Sequence, residues 1–174
     1  MTGNRLITRR LTLRPAGLQD LAPLYHVMSN PAAMRYWSTL PHADLTQTGI
    51  WLDRQLALDP ATTADFVLEH QGAVVGLAGS SRLPEVGFIL HPDHWGRGFA
   101  SEAMQALIPH LFARFPVAEL TADADPRNIA SLTLLARLGF RETGRAARTF
   151  LLGDEWCDSV YLALPRPRLA DPLC

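Results

Sequence analysis

The sequence predicts a single α/β domain with strands and helices interleaved along the chain. Three observations carry that prediction. Apolar residues recur at 100, 103, 104, 107, 108, 111, 112 and 115, the i, i+3, i+4, i+7 spacing of an amphipathic helix. Short alternating or apolar runs, such as 85–90 and 117–123, have the length and pattern of strands. The 174 residues, 48% apolar and 19% charged, suffice for one sizeable core and are unlike a disordered chain. The resulting order is strand, two helices, three strands, helix, strand, helix, two strands: about seven strands and about four helices.

Residues 6–14 alternate around Leu11 and Leu13, and Pro15 closes this first strand. From Leu18 the apolar positions Leu21, Leu24, Tyr25 and Met28 share a helix face that ends near Asn30-Pro31. Residues 32–42 hold Met34, Tyr36 and Trp37 with little periodicity. Either these pack beneath a loop, or they form the lip of a substrate cleft, since loops on a rigid scaffold often carry binding residues. Residues 44–58 read as a second helix with Ile50, Trp51 and Leu58 inward, ended by Asp59-Pro60. Strands follow at 65–70 and 73–81, joined by a Gln71-Gly72 hairpin turn, and at 85–90 after a turn at 82–84.

The long central helix then runs to about Arg114, with Pro109 inside it removing one helical hydrogen bond and bending the axis. A strand at 117–123 leads through Asp125-Pro126-Arg127 to Asn128, a suitable N-cap. Ile129, Leu132, Leu135 and Leu138 share the face of the next helix, which Gly139 is placed to end. Residues 141–152 and 155–164 form a final hairpin about Gly153-Asp154. The domain is therefore 1–164, and 165–174, with three prolines, is a loosely held tail.

Composition excludes several function classes. A net charge of -1 gives no overall basic excess for nucleic acid or an anionic membrane surface. No apolar run approaches the length of a membrane span. Arg5, Arg9, Arg10 and Arg14 interrupt any signal-peptide core. Two cysteines make no disulfide framework, so a reducing cytoplasm is the simplest location. Cys157 reads as a strand residue and Cys174 as a free tail thiol.

The chain turns on His91-Pro-Asp-His-Trp-Gly-Arg-Gly-Phe-Ala-Ser-Glu-Ala103. A strand ends, two glycines follow, and a helix opens. Unpaired N–H groups of a first helical turn attract anions, and the helix dipole adds to this. Gly96 and Gly98 leave that backbone open to a phosphate, and Arg97 adds a cation. From spacing alone, a pyrophosphate cradle and a plain strand–helix turn are both open. A dinucleotide fingerprint would need glycine at position 101, which is Ser101, and a Walker loop is absent.

Trp95-Gly-Arg-Gly-Phe-Ala100 resembles the acetyl-CoA signature Q/R-x-x-G-x-G/A of the GNAT N-acetyltransferases, with Trp95 in place of the usual Gln or Arg. Thr8-Arg-Arg-Leu-Thr-Leu-Arg-Pro15, Glu85-Val-Gly-Phe, His91-Pro-Asp, Asn128-Ile-Ala-Ser131 and Leu138-Gly-Phe140 resemble the branch that acetylates ribosomal-protein N-termini. The resemblance spans nearly the whole chain in one consistent order. It implies a mixed, mostly antiparallel sheet splayed between the fourth and fifth strands, 85–90 and 117–123, with acetyl-CoA as co-substrate in the gap and no metal.

Under that resemblance, backbone amides of Gly96, Arg97, Gly98, Phe99, Ala100 and Ser101, beside Trp95, hold the pyrophosphate. Open backbone edges at Phe88, Ile89 and Leu90 pair with the pantetheine amides. Asn128, besides capping its helix, touches pantetheine, and Ser131 faces the CoA sulfur.

Amine acetylation needs a deprotonated amine, a polarised thioester carbonyl and a proton or hydrogen bond for the departing sulfur. No acyl-enzyme is required. Glu85 is the leading base, with a solvent-facing strand-end carboxylate as the alternative; His91 and His94 are further candidates. The acidic residue that the ribosomal-protein branch often carries after its Gly-Phe pair is missing at Arg148-Thr-Phe-Leu151, and the usual tyrosine acid is Leu135 here. Ser131 therefore becomes the proton or hydrogen-bond donor.

Met34, Tyr36 and Trp37 are the expected acceptor contacts. Few acidic side chains lie in 31–41, which favours a peptide or protein N-terminal amine, or a small mono-amine, over a polycation. Loop 145–156, with Asp154 and Glu155, could also line the cleft. A monomer or a homodimer is compatible with the sequence. The competing classes are a non-catalytic acyl-CoA-binding or sensor module, supported by the missing tyrosine, and a dinucleotide-binding oxidoreductase, disfavoured by Ser101.

Overall fold

The structure is a computed structural model and describes residues 5–167. Its strands are β1 Leu6–Ile7, β2 Thr12–Arg14, β3 Ala64–His70, β4 Ala73–Arg82, β5 Glu85–Leu90, β6 Glu119–Ala124, β7 Arg141–Leu152 and β8 Glu155–Pro165. Its helices are α1 Leu21–Met28, α2 Pro31–Met34, α3 Leu45–Leu56, α4 Phe99–Arg114 and α5 Ile129–Arg137. The strands form one sheet in the order β1-β2-β3-β4-β5-β6-β8-β7. Neighbours pair antiparallel except β5 and β6, which are parallel.

The β5–β6 pairing organises the molecule. The strands meet at Glu85 and Thr121, and the Thr121 N–H bonds the Pro84 carbonyl at 2.9 Å. Beyond that point no further β5–β6 pair forms, so the sheet opens as expected. Strand alternation sends Val86 and Leu90 into a core with α4 and α5, while Ile89 faces a second core with α1–α3. On α4, Phe99, Met104, Leu107, Leu111 and Phe112 are all buried. Each such side chain stabilises by about 1.5–3 kcal/mol, which fixes the helix start relative to the sheet. Pro109 lies within α4 on its exposed side.

The structure corrects several element expectations. The first strand is broken into β1 and β2, so there are eight strands. Glu102 at the start of α4 draws the intervening turn away: it accepts from the Thr8 hydroxyl at 2.6 Å and the Arg10 N–H at 2.7 Å. Residues 31–34 are a short helix rather than a loop. The Asn30 side chain accepts from the N–H groups of Ala32 and Ala33, and Pro31 occupies the first helical position. On α3, Ile50 is 51% exposed, whereas Thr48 and Leu52 are buried. The Thr48 hydroxyl bonds His42 at 2.9 Å, and this buried polar pair sets the helix rotation. On α5, Ile129 is exposed and Leu135 carries the core contact.

The expected tail falls mostly outside the described residues, as does Cys174. Within them, Pro165 completes β8 and the Arg166 guanidinium donates to carbonyls of Phe112, Phe115 and Val117. Cys157 is a buried residue of β8. Among the described residues no helix is long and apolar enough to cross a membrane.

Candidate active site

The sequence from β5 to α4 builds an anion cradle from local rules. The His91 ring accepts from the Asp93 N–H at 3.3 Å and stacks on His26, 4.1 Å between centroids, which turns the chain out of the strand. His91 is thus a turn residue. The Trp95 indole donates to the Leu90 carbonyl at 2.9 Å. Gly96 and Gly98 then take left-handed φ values of 69° and 77°, a region that side chains with a Cβ disfavour. No side chain caps α4, so its first N–H groups point at open space. A Cβ on Gly96 would have no neighbour within 4 Å; one on Gly98 would meet only an Arg10 nitrogen at 3.4 Å.

The charge around the cradle is positive. The Arg10 and Arg97 guanidiniums lie 4.7 and 4.9 Å from the centre of the Phe99 ring. Burial alone would raise the Glu102 carboxyl, but bonds from Thr8 and Arg10 outweigh it and hold the group ionised. Its charge is thereby spent on Arg10, 2.6 Å away, rather than opposing an anion in the cradle. Burial, then the Arg97 charge, push His94 below its ordinary range, so it is neutral near pH 7. Open backbone donors with cations beside them fit a pyrophosphate.

A cleft of about 550 Å³ runs from this cradle along the open edge of β5. It brings together Phe88, Ile89, Leu90, Trp95, Gly96, Gly98 and 99–101 with Asn128 and Ser131 of the α5 start and Tyr36 and Trp37 of the lip. The Asn128 side chain accepts the Ser131 N–H at 3.2 Å, as its capping role requires. The Leu90 carbonyl is already engaged by Trp95, leaving the backbone nearer Phe88 for a ligand. Leu134 and Arg137, which the sequence did not single out, also line the cleft.

Three expected site residues do not line it. Met34 is 1% exposed and belongs to the core, because the short α2 turns it inward. Arg97 lies over Phe99 instead. Glu85 is exposed at the start of β5, 3.4 Å from Arg82.

The opposite side of the gap is made by side chains from distant segments. Trp37 lies over Gly87, where a Cβ would be 3.8 Å from its ring. Tyr36 is flanked by the guanidiniums of Arg35 and Arg127, at 5.4 and 5.9 Å. Glu155, the first residue of β8, pairs with both arginines, and Arg127 also pairs with the buried Asp125. This network ties the lip to the final hairpin.

On β6, Leu120, Ala122 and Ala124 face the core, so Asp123 faces the opposite side of the sheet. Its carboxylate accepts from Ser159 at 2.9 Å, and Ser159 bonds Thr149 at 2.8 Å. Asp123 is exposed and lies outside the lining of the cleft of about 550 Å³; partial desolvation still pushes its carboxyl up against that bond, and the charges of Glu85 and Asp125 push it further. A carboxylate so raised at the mouth of the splay is suited to accept a proton. Its sequence signal was one acidic residue among alternating buried apolar ones.

A sheet opened between two parallel strands, with an uncapped glycine cradle at the mouth of the gap, is the architecture of a coenzyme-A-dependent acyltransferase. Residues 10–141 match the family model described as the acetyltransferase (GNAT) domain, and the chain belongs to that family. It is 32% identical over 148 residues to the N-acetyltransferase p20 of Bacillus licheniformis, covering 80% of this chain and 83% of that protein. The spermidine N-acetyltransferase of Vibrio cholerae, solved with CoA and spermine, superposes with a TM-score of 0.78 at 21% identity, over 90% of this chain and 95% of that one. An acetyltransferase from Salmonella typhimurium that modifies the N-terminal serine of ribosomal protein L7/L12 gives 0.82 at 19% identity, over 92% and 97%.

Proposed function

We propose that this acetyl-CoA-dependent N-acetyltransferase transfers the acetyl group to a primary amine by direct attack, without an acyl-enzyme, and that the amine is a peptide or protein N-terminus or a small mono-amine. The observation that carries the reading is the place of Asp123, held by Ser159 at 2.9 Å on β6 two residues beyond Thr121, where the pairing with β5 ends. The acceptor arrives as an ammonium with no lone pair to attack with. Asp123, oriented by Ser159, takes its proton, and Glu85 acts through its charge on Asp123 rather than as the first acceptor. The freed nitrogen adds to the thioester carbonyl. As the carbon–sulfur bond breaks, the now cationic nitrogen gives up its second proton to the departing sulfur with the Ser131 hydroxyl as relay or hydrogen-bond donor, and Asp123 returns its own proton to solvent. The first-turn amides of α4 hold the pyrophosphate, and the free edge of β5 near Phe88 holds the pantetheine.

Tyr36 and Trp37 form an aromatic wall for the residue that bears the amine. The arginines beside Tyr36 are each matched by a carboxylate, so the lip offers no unbalanced negative surface to a polycation. The buried thiol of Cys157 suits a reducing cytoplasm, where acetyl-CoA is also available. Relatives act on both kinds of amine: one is a spermidine N(1)-acetyltransferase and another acetylates the alanine of ribosomal protein uS5. The deciding experiment is competitive acetylation of N-terminal peptides, spermidine and kanamycin under equal conditions. A peptide should give the highest kcat/KM; a polycation well above every peptide would overturn the acceptor assignment. Acetyl-CoA binding without turnover on any amine would favour a sensor module.

A further inference from the structure

A second cavity, of about 210 Å³, opens between the C-terminal turn of α3 and the start of β3. It shares no lining residue with the active-site cleft. Most of its wall is apolar, including Trp51, Leu56, Leu58 and Leu77. Beside Thr63, whose hydroxyl is satisfied by the Asp59 carbonyl at 2.8 Å, two hydrogen-bond acceptors interrupt that wall. One is the Gln55 side-chain oxygen, which is buried and has no partner among the described residues. The other is the Asp65 carboxylate, whose one support is the N–H of Phe66. No arginine or histidine lines the space.

Burial pushes the Asp65 carboxyl up to about 6, so near neutral pH it is ionised and lacks a counter-charge. An uncompensated carboxylate against apolar surface is costly, and so is a buried acceptor without a donor. The two unsatisfied acceptors therefore ask for a cation that donates hydrogen bonds, and the apolar wall asks for carbon.

We propose that this cavity is a second binding site, separate from the catalytic cleft, for a small alkylammonium ion. The ammonium donates to Asp65 and to the Gln55 oxygen, and its alkyl part covers Trp51 and the leucines. The indole face adds cation–π attraction. With a water occupying roughly 30 Å³ of liquid, the space takes a short amine rather than a long polyamine. A hydrated metal ion would gain nothing from the carbon wall.

The test is calorimetric titration of the full chain with n-butylammonium chloride at constant ionic strength, without acetyl-CoA. Saturable binding is expected, at least tenfold weaker in Asp65→Asn, about 1.4 kcal/mol, and weaker in Gln55→Leu. Asp65→Asn should melt higher than the parent at pH 7, in one cooperative transition, which shows that it is folded. Asp123→Asn should leave butylammonium binding unchanged. Absence of saturation below about 50 mM, or equal affinity in Asp65→Asn, overturns the site. So does loss of binding in Asp123→Asn, which would place the amine in the acceptor cleft, or equal binding of potassium. None of these readings depends on turnover, so this proposal and the catalytic one fail separately.

Discussion

The two sides of the splayed gap are built by different means. On the proposed coenzyme side the groups are main-chain: the open edge of β5, the left-handed Gly96 and Gly98, and the uncapped start of α4. They lie within one short stretch and are fixed by local turn geometry and by the buried face of α4. On the proposed acceptor side the groups are side chains from segments far apart in sequence: Tyr36 and Trp37, Asp123, Arg127, Glu155 and Ser159. Their positions come from strand register and ion pairs, such as the Arg35–Glu155 contact across 120 residues. A backbone site tolerates many side-chain changes but no added Cβ at the wrong place. A side-chain site holds its backbone and fails one functional group at a time.

That contrast breaks most sharply at Asp123. Asp123→Asn keeps shape and most hydrogen bonding but removes the proton acceptor, so kcat should fall by roughly 10²–10⁴-fold. Acetyl-CoA affinity by calorimetry should not change. In the parent, activity should rise with pH through an apparent pKa above the ordinary aspartate range, because protonated Asp123 cannot accept the amine's proton. The variant should lack that limb. Retention of both the rate and the limb would move the base elsewhere, to Glu85, a histidine or water.

The matching break on the coenzyme side is Gly98→Val. A branched side chain at φ 77° is strained and also enters the space in front of the cradle. Acetyl-CoA should bind at least tenfold more weakly, about 1.4 kcal/mol. The acid limb of the pH profile, measured at saturating acetyl-CoA, should stay where it is. Unchanged affinity in a folded variant would remove the cradle assignment.

The same contrast explains what the sequence made legible. The strand–glycine–helix stretch could be read because each of its rules acts over a few residues, and the Asn128 cap on Ser131 for the same reason. Asp123 could not, because alternation reveals which face it takes but not that β5 and β6 part beside it. Nor does it reveal that Ser159, 36 residues later, bonds it. Met34 was misplaced because a four-residue helix is too short to show periodicity, and its Asn30 cap was the signal to read instead. The broken first strand depended on Glu102, more than 90 residues away.

Glu85→Gln sharpens the division of labour between the two carboxylates. The Glu85 charge helps hold Asp123 up, so its removal should move the acid limb to lower pH. The sign follows from repulsion: one fewer neighbouring anion makes the Asp123 carboxylate easier to form. Above that limb kcat should fall by only a few-fold, well short of a lost general base. A drop as large as that of Asp123→Asn, with no shift of the limb, would reverse the two roles.

The smallest expected effect lies in the lip. Arg35 and Glu155 are half exposed, so their ion pair adds little to global stability, and the melting temperature of Glu155→Gln should stay close to the parent's. Its value is positional. Glu155 holds Arg35 and Arg127 on either side of Tyr36, and without it the aromatic wall loses two restraints at once. Loosened positioning of an acceptor appears first in its KM, which should rise roughly twofold to fivefold while kcat and acetyl-CoA affinity hold. Arg35→Gln should produce part of the same rise, and the double variant should add little to Glu155→Gln, because the Arg35 restraint is already lost with Glu155. The effect should grow with acceptor size, since a peptide meets the wall and a short mono-amine does not. Equal KM values for a tetrapeptide in parent and variant would detach the lip from acceptor binding and leave Asp123 and Trp37 as its side of the cleft.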